Sequence, residues 1–249
     1  MLNFKRILSP RELLNEKKKD YRNIVLVQAI MIVAGLLLSD FLVPGNKTGL
    51  SKLVTVIMSG FAAFYAFMLW DILRDFTDRL LLIQVIFFVV SIVVFMGLIT
   101  EFPYYRMLEV PNRRIYLLTL HSIIFLVEII VIGYAVVDVF SGKFLTGDKL
   151  WGAACVYLMI GISFASLYDI LNFILPGCFG TSLELGLPSY SECIYHSFSV
   201  LGGGDSSYDH PIRIVRNLSA IEAVWGNLFA MLIIGKLLSL PTPDESSAT

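Results

Sequence analysis

The sequence predicts an all-α integral membrane protein with six transmembrane helices and a re-entrant pore helix and filter loop between the fifth and sixth. Three observations predict it. The chain is 57% hydrophobic with a mean hydropathy of +0.77 and 16% charged residues, where a soluble domain carries about 25%. Six apolar runs reach the ~20 residues that a helix needs to cross a ~30 Å hydrocarbon core. The charges are segregated into the connections between those runs, and one connection, Pro176–Arg216, is long and glycine-rich.

Residues 1–23 are the most basic part of the chain, with Lys5, Arg6, Arg11, Lys17, Lys18, Lys19 and Arg22. Ser9-Pro10-Arg11-Glu12 is a helix start: a capping hydroxyl, a proline at the first helical position and an acid three residues on. Two forms fit this segment. One is a short helix lying on the membrane surface through Phe4, Ile7, Leu8, Leu13 and Leu14; the other is a solvated basic tail that sets orientation. No apolar core of a cleavable signal peptide is visible there.

The six runs are Ile24–Val43, Leu53–Trp70, Leu80–Ile99, Ile115–Val137, Leu150–Leu175 and Asn217–Leu240. They divide the chain into the basic segment 1–23, a four-helix bundle over 24–138, a pore domain over 150–240 and a short polar tail over 241–249. The basic residues ahead of the first run place the N-terminus in the cytoplasm, and six crossings return the C-terminus there. A cell-membrane location is the expectation. Three cysteines, Cys155, Cys178 and Cys193, form no CxxC pair or His/Cys cluster, so neither a metal nor a redox cofactor is expected. The last two fall on the outer side and can pair there if it is oxidising. The expected partners are lipid and further copies of the chain, and not nucleic acid.

Four helices ahead of a pore unit invite comparison with a voltage sensor, which needs Arg or Lys at every third position of its fourth helix. Ile115–Val137 contains neither. It carries instead Arg114, His121 and Glu128 at intervals of seven, along one helical stripe. Glu128 lies deep in the apolar run, where an ionisable group is costly unless paired, protonated or facing water. Either His121 and Glu128 sense protons or ions, or Glu128 makes an interhelical hydrogen bond, with Gln84 and Ser91 of the third helix as candidates. On the fifth helix Ser163, Ser166, Asp169 and Asn172 recur every third residue, as helix–helix contacts or as a brace for the following loop.

Ser189 followed by Glu192 has the form of a capping box, which predicts a short helix from about Tyr190. Its end is rich in glycine. Irregular backbone at membrane depth survives where it lines water or is buried in protein, and carbonyls turned one way can replace a cation's hydration shell.

Here the residues resemble the tetrameric potassium-channel superfamily in its two-helix pore-domain form, over residues 150–240. The family filter Thr-Thr-Val/Leu-Gly-Tyr/Phe-Gly-Asp stands here as Ser199-Val200-Leu201-Gly202-Gly203-Gly204-Asp205. Arg216, Glu222 and Gly226 fall at the spacings of the family's inner helix. The resemblance implies that His196 and Glu222 support the filter, that Gly226 is a hinge, and that Asn227, Ala230 and Ile234 face the cavity. A contact between His196 and Asp205 is one such implication, with protonation of His196 tuning the filter. Two departures bear on selectivity. Val200 replaces a coordinating threonine, and Gly203 replaces an aromatic ring that braces the filter. The resemblance implies a homotetrameric channel for monovalent cations, potassium first, and no enzyme. Weakly selective conduction and a non-conducting pore-loop scaffold are the alternatives.

Overall fold

The computed structural model describes residues 10–42, 49–77, 79–101, 112–141, 147–204, 208 and 210–239. Among these there is no strand. Eight helices follow one another: α1 (Pro10–Leu37), α2 (Ser39–Leu42), α3 (Gly49–Phe76), α4 (Leu80–Glu101), α5 (Arg113–Phe140), α6 (Gly147–Ile174), α7 (Leu187–Leu201) and α8 (Arg213–Ser239). Five stretches of the described residues are long and apolar enough to cross a membrane: Lys18–Leu37, Gly49–Arg74, Leu80–Leu98, Arg113–Phe140 and Lys149–Ile174. The protein is thus all-helical and built as an integral membrane protein.

The described part of α1 starts at Pro10, with the expected cap Ser9 outside the described residues, and runs unbroken to Leu37. A separate surface helix ending near residue 23 is not formed. Glu16 to Lys19 are good helix formers, and nothing between them and the apolar run interrupts the backbone ladder. Phe4, Ile7 and Leu8 lie outside the described residues, as does the tail 241–249. The first apolar run also ends earlier than expected, at a bend at Leu38 followed by the single turn of α2.

The organising helix is α6. Among the five candidate spans its apolar stretch is 56% buried, against 22–39% for the others. It packs against α1, α5, α7 and α8. One hydrophobic core, including Ile24, Leu69, Val131, Met159, Ile162 and Ile194, joins the first helices to α6 and α7. The four-helix part and the proposed pore part therefore share a core. At one end Asp138 of α5 accepts hydrogen bonds from the Tyr21 hydroxyl at 3.2 Å and lies 3.6 Å from Lys149 Nζ, tying α1, α5 and α6 together. Trp70 Nε1 donates to the Ile83 carbonyl at 3.1 Å and fixes α3 to α4.

Candidate functional site

The 15-residue α7 starts three residues earlier than the Ser189–Glu192 pattern predicts. Its N-cap is Gly186, at φ 101°, and Pro188 sits in the first turn, where a missing N–H costs nothing and φ is already helical. Ser189 is therefore inside the helix and does not cap it. Its hydroxyl donates to Asp169 Oδ1 at 2.5 Å and accepts from Asn172 Nδ2 at 3.0 Å. Glu192, the other half of the expected box, accepts from the Tyr208 hydroxyl at 3.3 Å. Both readings of the polar stripe on α6 hold at different heights. Asp169 and Asn172 brace the start of α7, while Ser163 and Ser166 contact α5. Ser191 adds a bond from α7 to α1, donating to the Gly35 carbonyl at 2.8 Å.

At the other end of α7 the structure departs from the expected filter. Ser199, Val200 and Leu201 are not extended; they form the last helical turn. Gly202 remains right-handed, and Gly203 turns left-handed at φ 81°. The Gly203 N–H bonds the Val200 carbonyl at 3.0 Å and the Gly204 N–H bonds the Ser199 carbonyl at 2.8 Å. This is a Schellman C-cap, whose left-handed position glycine fills without steric cost. A glycine triplet serves a helix stop as well as it serves a filter, and here the helix takes it. The carbonyls of Ser199 and Val200 are consequently satisfied by backbone N–H groups. Asp205 lies outside the described residues, and with it the expected contact to His196.

Behind this turn, His196 and Glu222 lie on either side of Ser219 and Tyr168 and do not bond each other directly. Glu222 of α8 is fully buried. Its carboxylate accepts from the Tyr168 hydroxyl of α6 at 2.8 Å and from the Ser197 hydroxyl of α7. Ser197 Oγ also reaches the Gly161 carbonyl at 2.7 Å. Ser219, one turn before Glu222, lies 3.0 Å from both the Tyr168 hydroxyl and His196 Nε2. The His196 ring is enclosed by Tyr168, Phe179 and Tyr208, with centroids 4.7–5.6 Å away. Burial among them pushes its pKa down to about 4, because an imidazolium loses its hydration there.

Gly226 lies where α8 crosses the end of α7. A Cβ there would sit 3.1 Å from Leu201 Cγ, so the missing side chain is a notch that seats Leu201. Beyond it, Phe229 and Ile233 are buried against Ala135, Val139 and Val156. The remaining face of α8 is exposed, with Val224, Leu228 and Met231 prominent, and Asn227 is exposed with them. Ala230 is half-buried, and the Ile234 side chain lies outside the described residues.

His121 and Glu128 line one cavity, together with Tyr65, Ser166 and Tyr190. Glu128 is 1% exposed, and its Oε2 accepts from Ser163 at 3.2 Å and Ser166 at 3.4 Å. The interhelical bond expected for Glu128 thus exists, but to α6 rather than to Gln84 or Ser91 of α4. His121 Nδ1 lies 2.7 Å from Asp169 Oδ2, which links it to the brace of α7. Arg114, the third member of the stripe, is exposed at the helix start. The three cysteines are free thiols, so Cys178 and Cys193 do not pair. Among the described residues no group of His, Cys, Asp and Glu is arranged to hold a metal. No protein-family profile, no curated protein and no solved structure matches the chain.

Proposed function

We propose that the chain is one subunit of a homotetrameric pore-loop protein of the cell membrane that passes monovalent cations. In this reading α8 is the sixth crossing, both termini are cytoplasmic and α7 enters from outside without crossing. The observation that carries it is α7 itself. Its 15 residues extend about 22 Å at ~1.5 Å per residue, short of a ~30 Å bilayer core. It sits between two long helices, ends in exposed glycines, and is gripped from behind by the buried Glu222. Asn227 supports the reading: a polar group exposed on an otherwise apolar helix face finds its partner in water or another subunit, not in lipid.

Potassium is the first candidate ion by resemblance. Selection of potassium by backbone carbonyls requires the last turn of α7 to unwind on assembly and release Ser199 and Val200. Without that, weak selection among monovalent cations follows, since Val200 and Gly203 contribute neither a coordinating hydroxyl nor a bracing ring. One observation favours a second function, a non-conducting pore-loop scaffold: the C-cap at Gly203 occupies the Ser199 and Val200 carbonyls with backbone N–H groups.

Purified protein in liposomes, with potassium and sodium fluxes measured separately, tests these readings. Potassium flux well above sodium flux supports an unwound filter. Comparable fluxes support the weakly selective pore. No flux of either ion, together with fourfold particles in projection images, leaves the scaffold standing.

A further inference from the structure

The cavity beside Glu128 is lined by residues other than the glycine turn, and its reading goes beyond conduction. It has a volume of about 190 Å³; a protein cavity of about 150 Å³ holds a benzene molecule. Its walls are mostly apolar, from alanine, valine, leucine and methionine side chains of α1, α3, α4 and α5. One end is polar and carries the Glu128 carboxyl, the Tyr65 and Tyr190 hydroxyls and Ser166. Among the described residues no lysine or arginine lines it, and the imidazole of His121 faces Asp169 instead.

Two features of this end ask for a partner. The Tyr65 hydroxyl is buried beside Glu128 and the Gln28 amide, yet no hydrogen bond closes on it. Tyr65 is 4% exposed, so water outside the protein does not reach it, and a buried unpaired polar atom costs about 1–3 kcal/mol. Glu128 has only neutral hydroxyls as hydrogen-bond donors, and a buried carboxylate is stabilised far more by a cation than by hydroxyls.

We infer that this cavity binds a small organic cation, a primary amine on a compact apolar body such as an aromatic ring. The ammonium has three donors and no acceptor. Glu128 takes one, the Tyr65 oxygen a second and the Tyr190 oxygen a third. The apolar body fills the alanine- and valine-lined remainder. Because Tyr190 belongs to α7 and Ser166 to α6, the occupant touches the elements that carry the glycine turn.

The test uses the full chain in detergent, titrated calorimetrically with benzylamine hydrochloride, and in parallel with benzyl alcohol and with potassium chloride. Saturable benzylamine binding with a Kd of about 1 mM or tighter, at least tenfold weaker for benzyl alcohol, is expected. Glu128→Gln weakens benzylamine at least tenfold, and Tyr65→Phe weakens it several-fold. Gly97→Leu fills the cavity from α4, where a Cβ meets nothing within 4 Å, and abolishes binding; it decides the matter if Glu128→Gln does not fold. Equal binding of benzyl alcohol, displacement by potassium ions at equal concentration, unchanged binding to Gly97→Leu, or no binding each overturns the inference. None of these outcomes depends on ion flux.

Discussion

Glu222 and Glu128 are both buried carboxyls held by hydroxyls, yet their surroundings differ in kind. Glu222 is enclosed by α6, α7 and α8, with Tyr168 at 2.8 Å and Ser197 closing on its other oxygen. Glu128 meets two serines of a single neighbouring helix, at 3.2 and 3.4 Å on one oxygen, and otherwise faces a cavity. The first arrangement leaves nothing for a ligand to do. The second leaves a carboxyl, an unpaired phenol and space. Among buried charges, those that bind partners are separated from those that hold a fold by what remains unsatisfied around them.

Breaking the closed site has the largest expected effect. Glu222→Ala removes the acceptor shared by the Tyr168 and Ser197 hydroxyls, leaving them Ser219 and the Gly161 carbonyl, and opens a void; it is expected to cost about 2–3 kcal/mol, read as a loss of thermal stability in detergent. Gly203→Val, at the C-cap beside this site, forces a branched side chain into a left-handed position and is expected to cost about 1–2 kcal/mol. A filter glycine that is not a helix stop would show its cost in conduction and little in unfolding. Ser189→Ala, which removes the link from α7 to Asp169 and Asn172, is expected to cost about 1 kcal/mol by the same measurement.

The pH dependence sharpens the contrast further. The folded pKa of His196 lies near 4, below its ordinary 6.5. The unfolded chain therefore takes up a proton first as pH falls. Stability contributed by this site is intact above about pH 6.5 and is lost toward pH 4, by at most about 1.4 kcal/mol per pH unit. His196→Gln is expected to flatten that slope. Smallest of all is Glu128→Gln, which retains acceptors for Ser163 and Ser166; its unfolding midpoint is expected to move by less than about 1 kcal/mol, with the change appearing in ligand binding instead.

Much of this architecture was legible from residue order. The apolar runs located each long helix to within a few residues at most ends, since solvation in lipid leaves little choice of length or pattern. Of Arg216, Glu222 and Gly226, the last two meet α7, while Arg216 is exposed on another face of α8. The ends of α7 were misread for one reason: a local pattern can serve two structures. Ser189-x-x-Glu192 has the form of a capping box, but Gly186 and Pro188 start the helix first. Gly202-Gly203-Gly204 fits a filter and a helix stop equally, and only the hydrogen bonds decide. Tyr65 and Tyr168 were missed altogether. A lone tyrosine in an apolar run gives no periodic signal, and which neighbour it meets depends on helix rotation about its own axis. The same rotation gave Glu128 its partners on α6 rather than α4.

The hydroxyls that α6 lends to both carboxylates have a mechanical consequence. Ser163 and Ser166 serve Glu128, and Tyr168, two residues beyond Ser166, serves Glu222. A rigid helix cannot turn at one of these heights and stay still at the other. α6 is a shared axle, and a torque that improves the geometry at one carboxylate is felt at the other. An occupant of the cavity that turned α6 would alter the grip on α7, and by thermodynamic reciprocity the state of α7 would then alter affinity in the cavity by the same factor.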